Sequence, residues 1–409
     1  MNSAKSSCPN CGSTHIQSKE YKIRKIKHAL FLNRQTVFYL KIKRYRCVDC
    51  KKTFSQSQNF APKNQKVSFD TIKALLLKLQ NYSCTFEQAA KDVHVSSTTA
   101  MNIFDTYVNP KRKPLPKVLS LDEVYNKNQF SSAYSCILFD FLNMKIIDVI
   151  QDRSKSSLRQ FFQKVSQSEK DNVEFVVIDM WEPYLDTAKI FFPKAIVAVD
   201  SFHVIQNMER SLDSVRCRVM RRFEPNTTEY FLLKKYHDLL HQYCPIDEEK
   251  IYSRRFKMYL NRYDIVKMIL SIDKDLKFSH EFVSNYRFFN KHSTFETCKI
   301  GFEKFENDSR MLEIPEFVPI IKMLQNWKEQ IINSFMTVDG RRISNGPIEG
   351  CNSQIKKLMK ISNGLLNPLR FRNRLIHCYN KDISLSPAKE KIPKIVTKKR
   401  GKYKKKPSS

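Results

Sequence analysis

No stretch of this 409-residue chain approaches the ~18 consecutive apolar residues that cross a bilayer. Charges interrupt every apolar run, as Asp140 does within 136–142. The segment Met1-Asn2-Ser3-Ala4-Lys5 is polar and supplies no apolar h-region, so a secretory signal lacks its central element. These absences argue for a cytoplasmic protein without a membrane partner. Acidic residues are scarce as well: 41 Asp+Glu against 72 Lys+Arg leave a formal charge of +31. Ten basic residues and one acid fall within Lys389–Lys406, so the rest of the chain carries most of the excess. A basic excess of that size on a folded body selects a polyanionic partner, nucleic acid first. A ribosomal or anionic-membrane role is the blander alternative, but the chain is far larger than a simple basic adaptor needs to be. Hydrophobic residues at 41% and aromatics at 12% exclude global disorder, and the length suits two to four domains. The 11 cysteines are odd in number, and seven are scattered singly, as reduced thiols would be.

The other four cysteines form two C-x-x-C knuckles, Cys8-Pro9-Asn10-Cys11 and Cys47-Val48-Asp49-Cys50, with 35 residues between them. Each knuckle aims two thiolates at one point, and two knuckles complete a closed tetrahedral set, the ligand pattern of structural Zn²⁺. The intervening Val37–Tyr45 reads as a basic β-strand, which predicts a zinc ribbon over 1–62. A redox dithiol would instead place one C-x-x-C at a helix start in a larger βαβ fold. His15 is superfluous to a four-cysteine set and is expected at the surface.

Ile72, Leu75, Leu76 and Leu79 share one helical face. Thr85-Phe86-Glu87-Gln88 has the form of a capping box for a second helix. Val93-His94-Val95 makes a short turn, and Ser96-Ser97-Thr98-Thr99 caps a third helix to about Tyr107. This predicts a helix-turn-helix DNA-binding domain over 63–108, with Ser97, Thr98 and Asn102 facing a groove. A plain three-helix packing module is the alternative. His94 stands where such turns commonly have Gly, and enters the left-handed region at some cost. Asn109-Pro110-Lys111-Arg112-Lys113-Pro114-Leu115-Pro116 is a linker over 109–116.

Beyond the linker the pattern becomes β-β-β-α-β-α-β-α, and three strands end in acids: Asp122 with Glu123, Asp179, and Asp200. A strand-end carboxylate is often only the N-cap of the next helix. The order nonetheless matches the ribonuclease-H-like arrangement, in which acids at neighbouring strand ends meet a helix-borne acid. Ser344–Lys357 supplies such a helix, with Pro347 in its first turn. Glu349, Asn352 and Lys356 recur there at helical spacing; an acid beside an amide and a lysine suits a metal–phosphate site, and a solvated polar face is the alternative. The fold class is therefore multidomain α/β: a ribonuclease-H-like core over 117–385 with a helical insertion at about 222–335. The zinc ribbon and helix-turn-helix precede it, and a basic tail over 386–409, disordered until it meets DNA, follows. Aromatics of the insertion, such as Tyr230-Phe231 and Tyr236, are expected in a helical core.

Taken together, these motifs carry a resemblance. The double C-x-x-C, the helix-turn-helix, S-L-D-E at Ser120–Glu123, I-D-M-W-E-P-Y at Ile178–Tyr184, D-S-F-H-V at Asp200–Val204 and S-N-G-P-I-E-G-C-N at Ser344–Asn352 resemble the ISL-three family of bacterial insertion-sequence transposases, in the right order over nearly the whole chain. The resemblance implies a DDE triad of Asp122, Asp179 and Glu349 binding two Mg²⁺, with the 169 residues between the last two acids holding the insertion. It also implies that Asp200 and His203 form a D-x-x-H element, with His203 near the scissile phosphate. Trp181 replaces a small residue expected after D-M. The partners implied are double-stranded DNA, as terminal inverted repeats and target, and a homodimer or higher assembly on DNA, near the nucleoid. Asn352 and Lys356 join the candidate DNA contacts.

The residue types suit the chemistry. Two Mg²⁺ about 3.5–4 Å apart activate the nucleophile and stabilise the leaving oxygen of an in-line displacement, and Mg²⁺ prefers oxygen ligands. The rival reading is a non-catalytic DNA-binding regulator, which predicts no convergence of the acids; a third is a decayed or repurposed transposase with an intact fold.

Overall fold

The computed structural model describes residues 7–31, 34–63, 65–125, 132–242, 244–246, 248–361 and 367–382. The chain divides into two compact units, one of Met1–Lys113, Val124–Ser135 and Cys351–Ser409, the other of Pro114–Glu123 and Cys136–Gly350. No described helix is long and apolar enough to cross a membrane.

The first unit opens with a long antiparallel hairpin of β1 (Ile16–Phe31) and β2 (Arg34–Cys47), to which β3 (Thr53–Ser55) adds antiparallel at residues 44–46 of β2. Strand alternation gives the hairpin two unlike faces. Ile26 and Ile42 are buried on one, while Tyr21, Ile23 and Tyr39 stand exposed on the other. Three helices follow: α1 (Phe69–Lys78), α2 (Phe86–Asp92) and α3 (Ser97–Tyr107). Ser68, Thr85 and Ser96 cap them by accepting from the backbone N–H groups of Thr71, Gln88 and Thr99. The face read from the sequence, Ile72, Leu75, Leu76 and Leu79, is fully buried with Ala89, Ala90, Ala100 and Phe104. Between α2 and α3, His94 takes φ 53°, the left-handed conformation expected of it.

The second unit is built on a five-stranded sheet of β4 (Val118–Tyr125), β5 (Tyr134–Asp140), β6 (Lys145–Ile150), β7 (Phe175–Ile178) and β8 (Ile196–Val199), in the order β6-β5-β4-β7-β8. β5 and β6 are antiparallel, whereas β4, β7 and β8 run parallel. The crossovers are α4 (Lys155–Gln163) with the short α5 (Gln167–Asp171), and α6 (Glu182–Phe191). The long α7 (Ser201–Met220) leaves β8. Leu121, Ile178 and Val199 face a core with Leu158, Phe162, Tyr184 and Val204, and Val118, Val177 and Ala198 face a smaller one with Phe141 and Ile343.

Between α7 and residue 336 the chain is mainly helical: α8 (Thr228–Lys235), α9 (Arg262–Leu270), α10 (Lys274–His292), α11 (Cys298–Glu306), α12 (Val318–Asn326) and α13 (Lys328–Asn333). Its aromatics Phe282, Tyr286, Phe289, Phe302, Phe305 and Phe317 are buried, whereas Tyr230, Phe231 and Tyr236, expected in the helical core, are half-buried. Gly301 lets α11 approach α10: a Cβ there would lie 2.6 Å from the Phe289 ring.

The chain closes with α14 (Gly346–Ile361) and α15 (Pro368–Asn380). α15 falls in the first unit and packs on its three helices. Arg370 ion-pairs with Asp105, and the nearly inaccessible Arg374 donates to the carbonyls of Asn81 (3.2 Å) and Cys84 (2.8 Å). Asn373 Nδ2 donates to the Val108 carbonyl at 3.0 Å, and His377 Nε2 lies 2.9 Å from that of Leu76. These polar groups thus meet carbonyls at helix ends, which lack intrahelical partners, and in the turn between α1 and α2. The expected tail, including Lys398–Lys406, lies outside the described residues.

Candidate active site and metal centre

The knuckles are shaped by backbone turns. The Gly12 N–H donates to the Cys8 carbonyl with Gly12 at φ 72°, and the Cys47 N–H donates to the Lys52 carbonyl past Lys51 at φ 59°. Sulfur atoms of Cys8, Cys11, Cys47 and Cys50 all lie within 4.8 Å of one another. Cys8 Sγ is 3.6 Å from Cys50 Sγ, and Cys11 Sγ is 3.6 Å from Cys47 Sγ. A tetrahedron with Zn–S bonds of about 2.3 Å has edges of about 3.8 Å, so the set fits zinc. The thiols also press on one another. The backbone N–H of Asn10 brings the Cys8 thiol down to about 7. At Cys11 the Ser13 backbone N–H pulls downward, but burial and the neighbouring thiols carry the group up to about 12. His15 is exposed and pairs with Asp49, outside the cluster.

The acids of the second unit are assembled by strand register. Ser120 pairs with Val177, and Val177 pairs with Ala198. Two residues further along each strand path stand Asp122, Asp179 and Asp200, one row in which Asp179 and Asp200 directly follow β7 and β8, while β4 continues past Asp122 to Tyr125 and does not end at the acid as expected. Neither Asp179 nor Asp200 spends its carboxylate on capping: Trp181 occupies the N-cap of α6, and Asp200, although at the N-cap of α7, makes no side-chain cap hydrogen bond. Asp122 accepts from the N–H of Glu123 at 2.7 Å. Oδ1 of Asp179 and Oδ2 of Asp200 are buried with no hydrogen-bond partner, a costly arrangement for carboxylates unless a cation completes it.

The structure groups Asp200, His203 and Glu349 tightest, with ligand atoms within 4.8 Å of one another. Glu349 reaches this point from the first turn of α14, and its N–H donates to the Asn345 carbonyl at 2.9 Å. Asp122 and Asp179 are not members of that group; the charges of both add to the rise of the buried Cys136 thiol, which burial pushes up to about 12. Burial also raises Asp179 to about 6, with Arg153 opposing and Asp200 reinforcing. Asp200 is raised by burial against the pull of His203, and burial lowers His203 against the pull of Asp200. This buried, oxygen-rich set with unpartnered lone pairs suits a hard divalent cation.

Two participants, Arg153 and Tyr184, were not singled out from the sequence. Arg153 ion-pairs with Glu123, lies 4.4 Å from the Trp181 ring centroid, and biases Asp179 toward its charged form. Trp181, in place of a small residue, thus provides the platform for that guanidinium. Tyr184 is buried against Trp181, ring centroids 4.7 Å apart. A lone arginine in the loop after β6 carries no local signal; the unexpected Trp181 was the available hint.

Among the candidate DNA contacts, Thr98 and Asn102 are exposed on α3, and Ser97 is half-buried. Asn102 lines a cleft of about 440 Å³ with Thr99, Thr106, Lys27 and Lys66. On α14, Lys356 is exposed whereas Asn352 is buried, so the structure does not give these two the same setting.

The first unit carries a four-cysteine cluster with the spacing of a zinc site and the second a row of buried acids, and comparison with known families gives this pair of sites its class. A family model described as transposase, of the ISL-three DDE type, matches residues 119–375, and one described as zinc-finger of transposase IS204/IS1001/IS1096/IS1165 matches residues 4–50. The chain belongs to the ISL-three family of transposases. No curated protein matches it.

Proposed function

We propose that this insertion-sequence transposase cleaves and joins DNA strands at the ends of its element, in Mg²⁺-dependent phosphodiester chemistry at the row Asp122–Asp179–Asp200 with Glu349 and His203. The observation that carries the reading is the shared register of the three aspartates, with unpartnered buried oxygens on two of them. The sheet order β6-β5-β4-β7-β8, with β6 antiparallel to β5 and with β7 and β8 parallel to β4, supports a ribonuclease-H-like core.

Within it, Asp122, Asp179, Asp200 and Glu349 would hold two Mg²⁺, which when bound supply an activated nucleophile and a stabilised leaving oxygen. His203, kept neutral by burial, presents an imidazole nitrogen that takes or returns a proton beside Glu349. Arg153, fixed between Glu123 and Trp181, places a cation beside Asp179 where a phosphate oxygen would approach. The helices α2 and α3 act as a helix-turn-helix, with Ser97, Thr98 and Asn102 reading the terminal repeat. Lys356 contacts backbone phosphate, and a homodimer pairs the two ends.

Single-turnover cleavage of a duplex carrying the element's end tests this. Asp179→Ala, Asp200→Ala and Glu349→Ala each lose roughly a thousandfold or more, and the losses do not add because the acids act as one site. End binding stays near wild type. An Asp179→Ala protein that cleaves like wild type overturns the proposal and leaves a DNA-binding regulator.

A further inference from the structure

We propose that the solvent-facing side of the β1–β2 hairpin is a second DNA-binding surface, gripping the phosphate backbone of duplex DNA independently of α3. The register puts Tyr21 opposite Lys43, Ile23 opposite Lys41 and Lys25 opposite Tyr39, so these six side chains share one face of the two-stranded ribbon. The opposite face buries Ile26 and Ile42, and Arg24 there donates to the Pro62 and Gln65 carbonyls.

On the outer face, Tyr21 is 55% exposed, and Ile23 and Tyr39 are each 66% exposed. Lysine ammoniums lie over the rings: Lys41 is 4.6 Å and Lys43 6.0 Å from the Tyr21 centroid, Lys43 is 5.5 Å from that of Tyr45, and Lys25 is 5.8 Å from that of Tyr39. The rings hold the cations in place, so less side-chain entropy remains to be lost on binding. None of Lys25, Lys41 and Lys43 has an acidic partner among the described residues. The two strands together contain ten Lys and Arg against a single acid, Glu20, which Arg44 neutralises.

Charge decides the occupant. A second copy of the hairpin would bring like charges together, and an apolar partner would strand the lysines. A polyanion satisfies both the lysines and the amphipathic tyrosines, whose rings pack on sugar and whose hydroxyls meet phosphate. From Tyr39 to Tyr45 the face extends ~20 Å, and a two-stranded ribbon fits the major groove of B-DNA. Surface and DNA differ in sign along that whole length.

This proposal does not depend on the acid row being catalytic. The test measures binding of the full-length protein to a random-sequence duplex across a salt series. The combined variant Lys25→Ala, Lys41→Ala, Lys43→Ala should flatten the slope of log K against log salt by about 2.7, from ~0.9 per phosphate contact, with zinc still bound. Lys→Arg at the same three positions should restore the slope. Tyr21→Ala with Tyr39→Ala should weaken binding about tenfold with little change in slope. In the unmodified protein, DNA should protect Lys25, Lys41 and Lys43 from amine acetylation, which keeps the test independent of any folding defect. An unchanged slope, or no protection, overturns the proposal. So does a change in the DNA-free protein's oligomeric state from the tyrosine variants without a change in DNA affinity. A protein that cleaves no DNA but shows the slope loss would contradict the catalytic reading and retain this one.

Discussion

The four sulfur donors of the zinc ribbon come from a segment of 43 residues, whereas the acids of the second unit come from three strands and a helix spread between residues 122 and 349. The thiols complete one another: two knuckles make a closed set of four, with sulfurs in the spacing of a zinc tetrahedron. The acids do the opposite. They leave buried oxygens unpartnered at Asp179 and Asp200, and burial pushes both carboxyls toward the neutral form. A closed set stabilises its surroundings through the metal; an open set costs stability to keep coordination positions available for substrate.

The largest expected effect tests the closed half of that contrast. Structural zinc in comparable modules contributes about 10–16 kcal/mol of apparent binding energy, which is folding energy for the module. Chelation, or Cys47→Ser, should therefore release about one zinc per chain and expose the hairpin to protease, while the sheet unit unfolds as before. Unchanged protease resistance of the zinc-free hairpin would remove the distinction.

The open half predicts a change of opposite sign. Asp179→Asn removes a buried charge whose carboxyl sits at about 6 rather than 3.8, so the metal-free protein should gain about 1–3 kcal/mol against urea while losing cleavage. Loss of stability would mean that the carboxylate is held by protein partners and not reserved for a cation. The smallest effect calibrates the first unit away from either centre. His94 is at φ 53°, and His94→Gly should relieve that strain for a gain of about 0.5–1 kcal/mol, net of the backbone freedom glycine loses on folding. A thermal melt reads it.

How far the sequence revealed each centre follows from the same contrast. C-x-x-C is a local geometry, so Cys8, Cys11, Cys47 and Cys50 could be grouped from spacing alone. Strand-end acids were visible one by one, but a carboxylate after a strand also reads as a helix cap. Only the pairing of β4 with β7 and of β7 with β8 aligns Asp122, Asp179 and Asp200 and makes Asp200 a full member of the row. Arg153 reaches the site through a stacking partner, and α15 reaches the three-helix module through Arg370 and Asp105, 265 residues apart. Neither relation leaves a periodicity or motif in the sequence. The local caps at Ser68, Thr85 and Ser96, by contrast, follow directly from their residue types.

Direct titration with Mn²⁺, followed by electron paramagnetic resonance on the full-length zinc-loaded protein, tests the central claim that the acid row is an open divalent-cation site. Wild type should bind Mn²⁺ in competition with Mg²⁺, and Asp179→Asn and Glu349→Gln should each weaken that binding at least about tenfold with zinc content unchanged. Equal Mn²⁺ binding by wild type and both variants would contradict it.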